Sequence, residues 1–228
     1  MSTLDSARRK KSHWFLELVL VVVVALVVAA VIRAFVAQAF FIPSGSMEDT
    51  LHEDDWILVS KVGLWWGDVD RGDVVVFKDP GGWLSTPPSS ANPVRRGLEF
   101  IGVAPSSSEG DLVKRVIGIG GDTVECCDDQ GRLLINGIAV DEPTVDPSDE
   151  PGDAPAGCQQ KFTTSVPAGY LWVMGDHRSV SEDSRCHEGL DAFVPEDDVI
   201  GRAVLIFFPV GRWTLIDQPA VYAEVDPS

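Results

Sequence analysis

Trp14 to Ile32 is almost wholly apolar, with Glu17 the one charge in nineteen residues. As a helix rising 1.5 Å per residue, this run reaches about 28 Å, close to a bilayer's hydrocarbon core. It predicts a transmembrane helix, closed by Arg33. Beyond residue 42 no helical period recurs, and short apolar runs alternate with Gly/Pro turns. Trp56–Val59, Val74–Phe77, Val113–Ile119, Tyr170–Met174 and Val204–Phe208 read as strands. Leu133–Ile135 and Ile138–Val140 flank Asn136-Gly137, a type I′ hairpin signal. Stretches 79–111 and 141–160 are rich in Pro, Gly, Ser or acidic residues and read as loops. The pattern predicts a mainly β protein: a single N-terminal helix, then an irregular, mixed-sheet or barrel-like domain. The boundaries are a basic segment at 1–13, a transmembrane helix at 14–33 and a β-rich domain at 34–228.

Charge sharpens this division. The chain carries −17, yet Arg8, Arg9, Lys10 and Lys11 crowd the N-terminus. From Ala34 onward there are 13 basic and 33 acidic residues. Such acidity excludes nucleic acid as a partner, which needs a basic face. The basic cluster before the span places the N-terminus in the cytoplasm and the domain outside, with the lipid bilayer as a partner. Ala37-Gln38-Ala39 resembles a leader cleavage site, but the apolar run exceeds the usual leader core of roughly 7–15 residues, so a retained anchor is expected. Leu64-Trp65-Trp66 and Trp83-Leu84 fit either loops at a membrane interface or ordinary core tryptophans.

Four cysteines, Cys126, Cys127, Cys158 and Cys186, all fall on the side read as oxidising, which favours disulfides. Adjacent Cys126 and Cys127 are expected to pair at long range, one of them with Cys158. A zinc site with His177 or His187 lacks the C-x-x-C spacing such sites use.

Three stretches hold candidate chemistry. In Phe40-Phe41-Ile42-Pro43-Ser44-Gly45-Ser46-Met47-Glu48-Asp49-Thr50-Leu51, Pro43 marks a strand end or edge and Gly45 permits a tight turn that presents a serine hydroxyl. Taken alone, that is also a common turn. In Val113-Lys114-Arg115-Val116, a lysine sits in an apolar strand; if it points inward, burial lowers its pKa and a neutral amine can accept a serine proton. Gly175–Arg185 follows a strand and holds two aspartates and two arginines besides Ser181, a polar loop or a network that positions a lysine.

In this order, behind one apolar anchor, Ile42–Leu51, Gly72–Phe77, Lys114–Gly118 and Gly175–Arg185 resemble the bacterial type I signal peptidases. These are membrane-bound Ser/Lys proteases that remove signal peptides from exported precursors. Phe193-Val194-Pro195 and Gly201-Arg202-Ala203 extend the likeness over most of residues 14–208. The resemblance implies Ser46 as nucleophile and Lys114 as general base. It implies an oxyanion hole from the Ser44 hydroxyl and the Ser46 backbone N–H. Ser181 would hydrogen-bond the amine, and Arg115, Asp176, Arg178, Asp183 and Arg185 would form the supporting network. Phe40, Ile42, Pro43, Met47, Leu51 and Val113 would shape the substrate pocket. It further implies a monomer acting on signal peptides of secretory precursors, without cofactor or metal. Asp49 and Gly120 stand where the family usually has proline, His177 where it commonly has asparagine, and Leu112 where a tyrosine sometimes occurs.

Three other readings compete. A Ser/Lys autoprotease of the SOS-repressor kind would need a DNA-binding N-terminus. A Ser-His-Asp hydrolase using His177 with Asp176 or Asp183 would need a nucleophile elbow, and Ser46 has none. A membrane-anchored binding domain explains the anchor and sheet but not the joint occurrence of Ser46, Lys114 and Gly175–Arg185.

Overall fold

A computed structural model describes residues 3–62, 69–84, 110–150 and 152–225. Helix α1 (Thr3–Phe35) contains the apolar run, whose mean hydropathy over Trp14–Ile32 is 3.2. None of that run is buried in the protein, so it is long and apolar enough to cross a membrane and has no core of its own to enter. A helix satisfies its backbone polar groups internally, as a span in lipid requires.

Strand β1 (Ala37–Phe41) follows the helix at once and pairs antiparallel with β2 (Trp56–Ser60), Phe40 facing Ile57. The remaining strands are β3 (Val74–Lys78), β4 (Asp111–Gly118), β5 (Thr123–Cys126), β6 (Leu133–Ile135), β7 (Ile138–Val140), β8 (Phe162–Ser165), β9 (Tyr170–Met174), β10 (Val194–Pro195), β11 (Val199–Phe208) and β12 (Thr214–Leu215). The larger sheet runs β1-β2-β11-β3-β4-β9-β10, with β12 paired to β11; the smaller runs β7-β6-β5-β8. Every pairing among the described residues is antiparallel, so the irregularity expected from sequence lies in bulges of β4 and β11 rather than in mixed strand directions. Asn136 and Gly137 both have positive φ, 53° and 80°, as the type I′ turn between β6 and β7 demands.

Val74, Val75, Val76 and Phe77 are all buried because both faces of the large sheet are covered. One cluster gathers Phe40, Ile42, Met47, Leu51, Val76 and Ile206; another gathers Val75, Phe77, Trp83, Val116 and Val173. Strand β4 is therefore central, Lys114 opposite Val75 on β3 and Arg115 opposite Met174 on β9.

One open sequence reading is decided and one expectation is corrected. Of its two fits, Trp83 takes the core one. It is 4% exposed, stacks on His187 at 4.6 Å, meets Phe77 edge-on and donates its indole N–H to Asp191 O. Leu64-Trp65-Trp66 lies outside the described residues. The disulfides join Cys126 to Cys127 and Cys158 to Cys186, leaving Cys158 unavailable to the hairpin and no thiol for a Cys-based zinc site. The reason is the path of the 141–160 loop. It returns to the Gly175–Arg185 segment, where Gln159 N donates to Arg185 O at 2.9 Å, and so sets Cys158 beside Cys186.

Mass spectrometry of alkylated, unreduced protein should recover a Cys158–Cys186 linked peptide pair. Cys158→Ser should cost about 3–4 kcal/mol of stability, the range for closing a loop of this length. A link from Cys158 to Cys126 or Cys127 would overturn the assignment.

Candidate active site

The loop after β1 is locked at its base: Ile42 N donates to Asp55 O at 2.9 Å, and Asp54 N returns a bond to Ile42 O at 3.0 Å. Pro43, which has no N–H to give a ladder, ends the edge strand. The chain then turns tightly, Glu48 N bonding Gly45 O at 3.1 Å and Leu51 N bonding Met47 O at 2.8 Å. Met47 and Leu51 are thereby driven into the core, and Ser46 is held half-buried facing β4.

Lys114 comes to meet it, its Nζ 2.8 Å from Ser46 Oγ. The lysine is 3% exposed. Burial lowers its pKa from the ordinary 10.5 to about 8. Asp183 and Asp176 pull the other way, and Arg185 adds to the drop, but desolvation is the largest influence. An ammonium here donates to the serine oxygen; a neutral amine accepts the serine proton. The arrangement is thus a nucleophile with an adjacent base poised near neutral pH.

Around the pair lies a largely buried polar network. Arg115 grips Asp176 with two parallel bonds, Nε to Oδ1 at 2.8 Å and Nη2 to Oδ2 at 2.7 Å. Its Nη1 donates to Gly72 O at 2.7 Å and Thr50 Oγ1 donates to Asp176 Oδ2 at 2.5 Å, so β4, the nucleophile loop and the turn before β3 are pinned together. Arg185 makes the same fork with Asp183, at 2.9 Å for each bond, and Gly175 N donates to Asp183 Oδ2 at 3.0 Å. Arg178 forks onto Glu142 and donates through Nε to Gly175 O at 2.9 Å. Burial pushes the Asp183 and Glu142 carboxyls up, but Arg185 and Arg178 outweigh it and hold both below the ordinary range. Each charge in this network therefore has an opposite partner, as burial requires.

Beside Ser46 opens a cavity of about 200 Å³ lined by Phe40, Ile42, Pro43, Met47, Val113 and Lys114, with Ser44 at its rim. Leu51, expected there, does not line it. The helical turn that bonds Leu51 N to Met47 O sends its side chain into the core behind Met47 and Phe40. Ser181 is a second correction. Its buried Oγ makes no hydrogen bond among the described residues, to Lys114 or otherwise; it lies close to where a Cβ on Gly175 would be. Sequence reasoning missed Thr50, Glu142, Gly72 O and the cavity's Phe41, Val76, Leu84 and Asp111, while Leu112, noted where the family sometimes has tyrosine, does line the cavity. Only the buried arginines gave a signal for these, since each demands acceptors that charge pattern alone does not locate. His177 lies near Ser46 but faces away chemically. Its backbone N–H donates to Ser46 O at 3.2 Å, while its ring faces Glu48 and Asp149.

A family model described as signal peptidase, peptidase S26, matches residues 15–208. Signal peptidase I of Mycobacterium tuberculosis is 38% identical over 233 residues, covering 93% of this chain and 79% of that protein. Signal peptidase I of Leptolyngbya laminosa is 35% identical over 191 residues, covering 84% and 78%. Signal peptidase I U of Bacillus subtilis is 31% identical over 211 residues, covering 92% and 95%.

Proposed function

This chain belongs to the signal peptidase family, peptidase S26, and from that premise we propose that it removes signal peptides from exported precursors with Ser46 as nucleophile and Lys114 as general base. The carrying observation is the 2.8 Å contact between Lys114 Nζ and Ser46 Oγ beside a network of paired charges. Neutral Lys114 takes the Ser46 proton as Oγ attacks the scissile carbonyl carbon. The oxyanion forms against the Ser46 N–H and the Ser44 hydroxyl; one such donor contributes roughly 3–4 kcal/mol. Lys114 then protonates the leaving amine, and a water it activates cleaves the Ser46 ester.

The cavity beside Ser46 is small and apolar, lined by Phe40, Ile42, Pro43, Met47 and Val113, which suits small side chains just before the cut. Arg115, Asp176, Arg178, Asp183 and Arg185 act by holding Lys114 and the Ser46 loop in register. Helix α1 tethers the domain to the bilayer in which signal peptides reside, raising effective concentration. The basic residues before the span orient it N-in, with the domain from Ala34 outside and working as a monomer.

The full chain in detergent should cut a secretory precursor after a small residue. Ser46→Ala should abolish the cut, and His177→Ala should keep most of the activity, since the imidazole does no proton transfer. A folded His177→Ala that is dead beside a Lys114→Ala active near the wild-type rate would replace this mechanism with a histidine hydrolase.

A further inference from the structure

Glu48, Asp146 and His177 each place one ligand atom within 4.8 Å of the others. None of the three lines the cavity beside Ser46. They come from separate segments: Glu48 from the nucleophile loop, Asp146 from the 141–160 loop and His177 from the turn after β9. His177 Nδ1 is buried without a hydrogen-bond partner and points at Glu48 Oε2, 3.7 Å away. A buried imidazole nitrogen is rarely left idle. Its other nitrogen, Nε2, lies 3.9 Å from Asp149 Oδ1, the side from which a carboxylate orients a metal-bound imidazole. Asp149 is itself fixed by the backbone N–H groups of Arg178 and Ser179. Asp146 gives one oxygen, Oδ1, to the N–H and hydroxyl of Ser148, which sets the carboxylate's orientation.

We infer that Glu48, Asp146 and His177 bind a divalent cation of zinc type, bridging the nucleophile loop to the two loops beside it. Three carboxylates around one imidazole create a strongly negative pocket that a dication balances. One nitrogen and two oxygen donors, with no thiolate, suit zinc, whereas calcium and magnesium favour six or more oxygens. Zinc–ligand bonds near 2.0–2.2 Å put donor atoms of one ion roughly 3.3 Å apart. The 3.7 Å edge nearly meets that spacing, no edge exceeds 4.8 Å, and Glu48, with 36% of its side chain exposed, has room to adjust towards the other two ligands. Three protein ligands leave a fourth position for water. Ser46 is two residues from Glu48, and its carbonyl already receives the His177 N–H. The bound ion therefore stiffens the backbone that carries the nucleophile. The site does not depend on the peptidase reading.

The test uses the full chain, free of any histidine tag, in detergent micelles. Zinc is titrated against a chromophoric chelator, and melting is followed with and without the metal. Wild type should bind one zinc per chain in the micromolar range or tighter and melt at a higher temperature with it, because a ligand of the folded state stabilises that state. Loss of an outer-shell partner already weakens metal binding about 10–100-fold, so Glu48→Gln and His177→Asn should each weaken it at least about tenfold. Calcium and magnesium should not displace zinc. Wild type without zinc affinity, or with displacement by calcium, overturns the proposal. So does either variant, folded by its metal-free melting, that binds as wild type does. Glu48→Gln alters a part-exposed side chain and keeps the test standing should His177→Asn fail to fold.

Discussion

Lys114→Ala should remain folded and cleave precursor at least about 10⁴-fold more slowly than wild type, a loss typical of deleting a nucleophile's proton acceptor. Lys114→Arg should be equally inactive, since guanidinium stays protonated at working pH. The wild-type rate should rise with pH. The working base is the neutral amine, half-populated at about pH 8, and each pH unit below that removes about tenfold of it. A profile flat between pH 6 and 9, or a folded Lys114→Ala near wild-type rate, would sink the Ser/Lys mechanism.

The same burial makes an opposite prediction for stability. A lysine whose folded pKa lies below its ordinary 10.5 opposes folding most strongly below about pH 8. That penalty eases as pH climbs from about 8 towards 10.5, where the unfolded chain also loses its proton. Lys114→Met keeps the length and removes the buried charge. It should raise the melting temperature at pH 7 by several degrees while abolishing cleavage. Asp183 would not be stranded, because Arg185 still holds both its oxygens. Gain of stability with loss of activity separates a catalytic lysine from a structural one.

How far such chemistry could be read beforehand depended on the range of the interaction. The apolar run at Trp14–Ile32 and the short apolar runs of β2, β3, β4 and β9 are local patterns, and they became elements at the expected places. Strands β1, β5 and β8 were not foreseen. Ala37–Phe41 begins two residues after the helix ends, with no turn signal between them, while Thr123–Cys126 and Phe162–Ser165 are only four residues long and hold few apolar side chains. Their pairing is decided by neighbours, a tertiary effect that propensity does not carry. Ser46 and Lys114 were legible because a serine in a tight turn and a lysine in an apolar strand are each locally anomalous. Glu142 and Thr50 were not. Nothing near either residue announces that Arg178 or Asp176 will reach it across 36 and 126 residues of chain. The cysteines failed for a related reason: adjacency and loop position suggested partners, whereas the return path of the acidic loop chose them.

Gly175 shows how tightly the site is closed, and its replacement should be the most damaging change that removes no reacting group. A Cβ at Gly175 would lie 2.3 Å from Ser46 O, 2.3 Å from Ser181 Oγ and 2.5 Å from Ser181 Cβ. Real Cβ atoms do not approach that closely, so something must move. Gly175 itself is pinned, its N–H on Asp183 and its carbonyl taking Arg178 Nε. Ser181 is fully buried and has little room to retreat. The yielding partner is then the Ser46 carbonyl, which carries the nucleophile with it. Overpacking of this kind costs about 1–3 kcal/mol of stability, and a displacement of about 1 Å at a reacting group costs on the order of 10²-fold in rate. Gly175→Ala should therefore lower kcat about a hundredfold with KM little changed, and melt several degrees below wild type. Gly211→Ala is the control, because its Cβ meets nothing within 4 Å, and it should match wild type in both measurements. Since Lys114 is untouched, the pH at which residual Gly175→Ala activity is half-maximal should stay near 8. A Gly175→Ala protein that cleaves precursor at the wild-type rate would mean that the Ser46 backbone is not held in place by this contact.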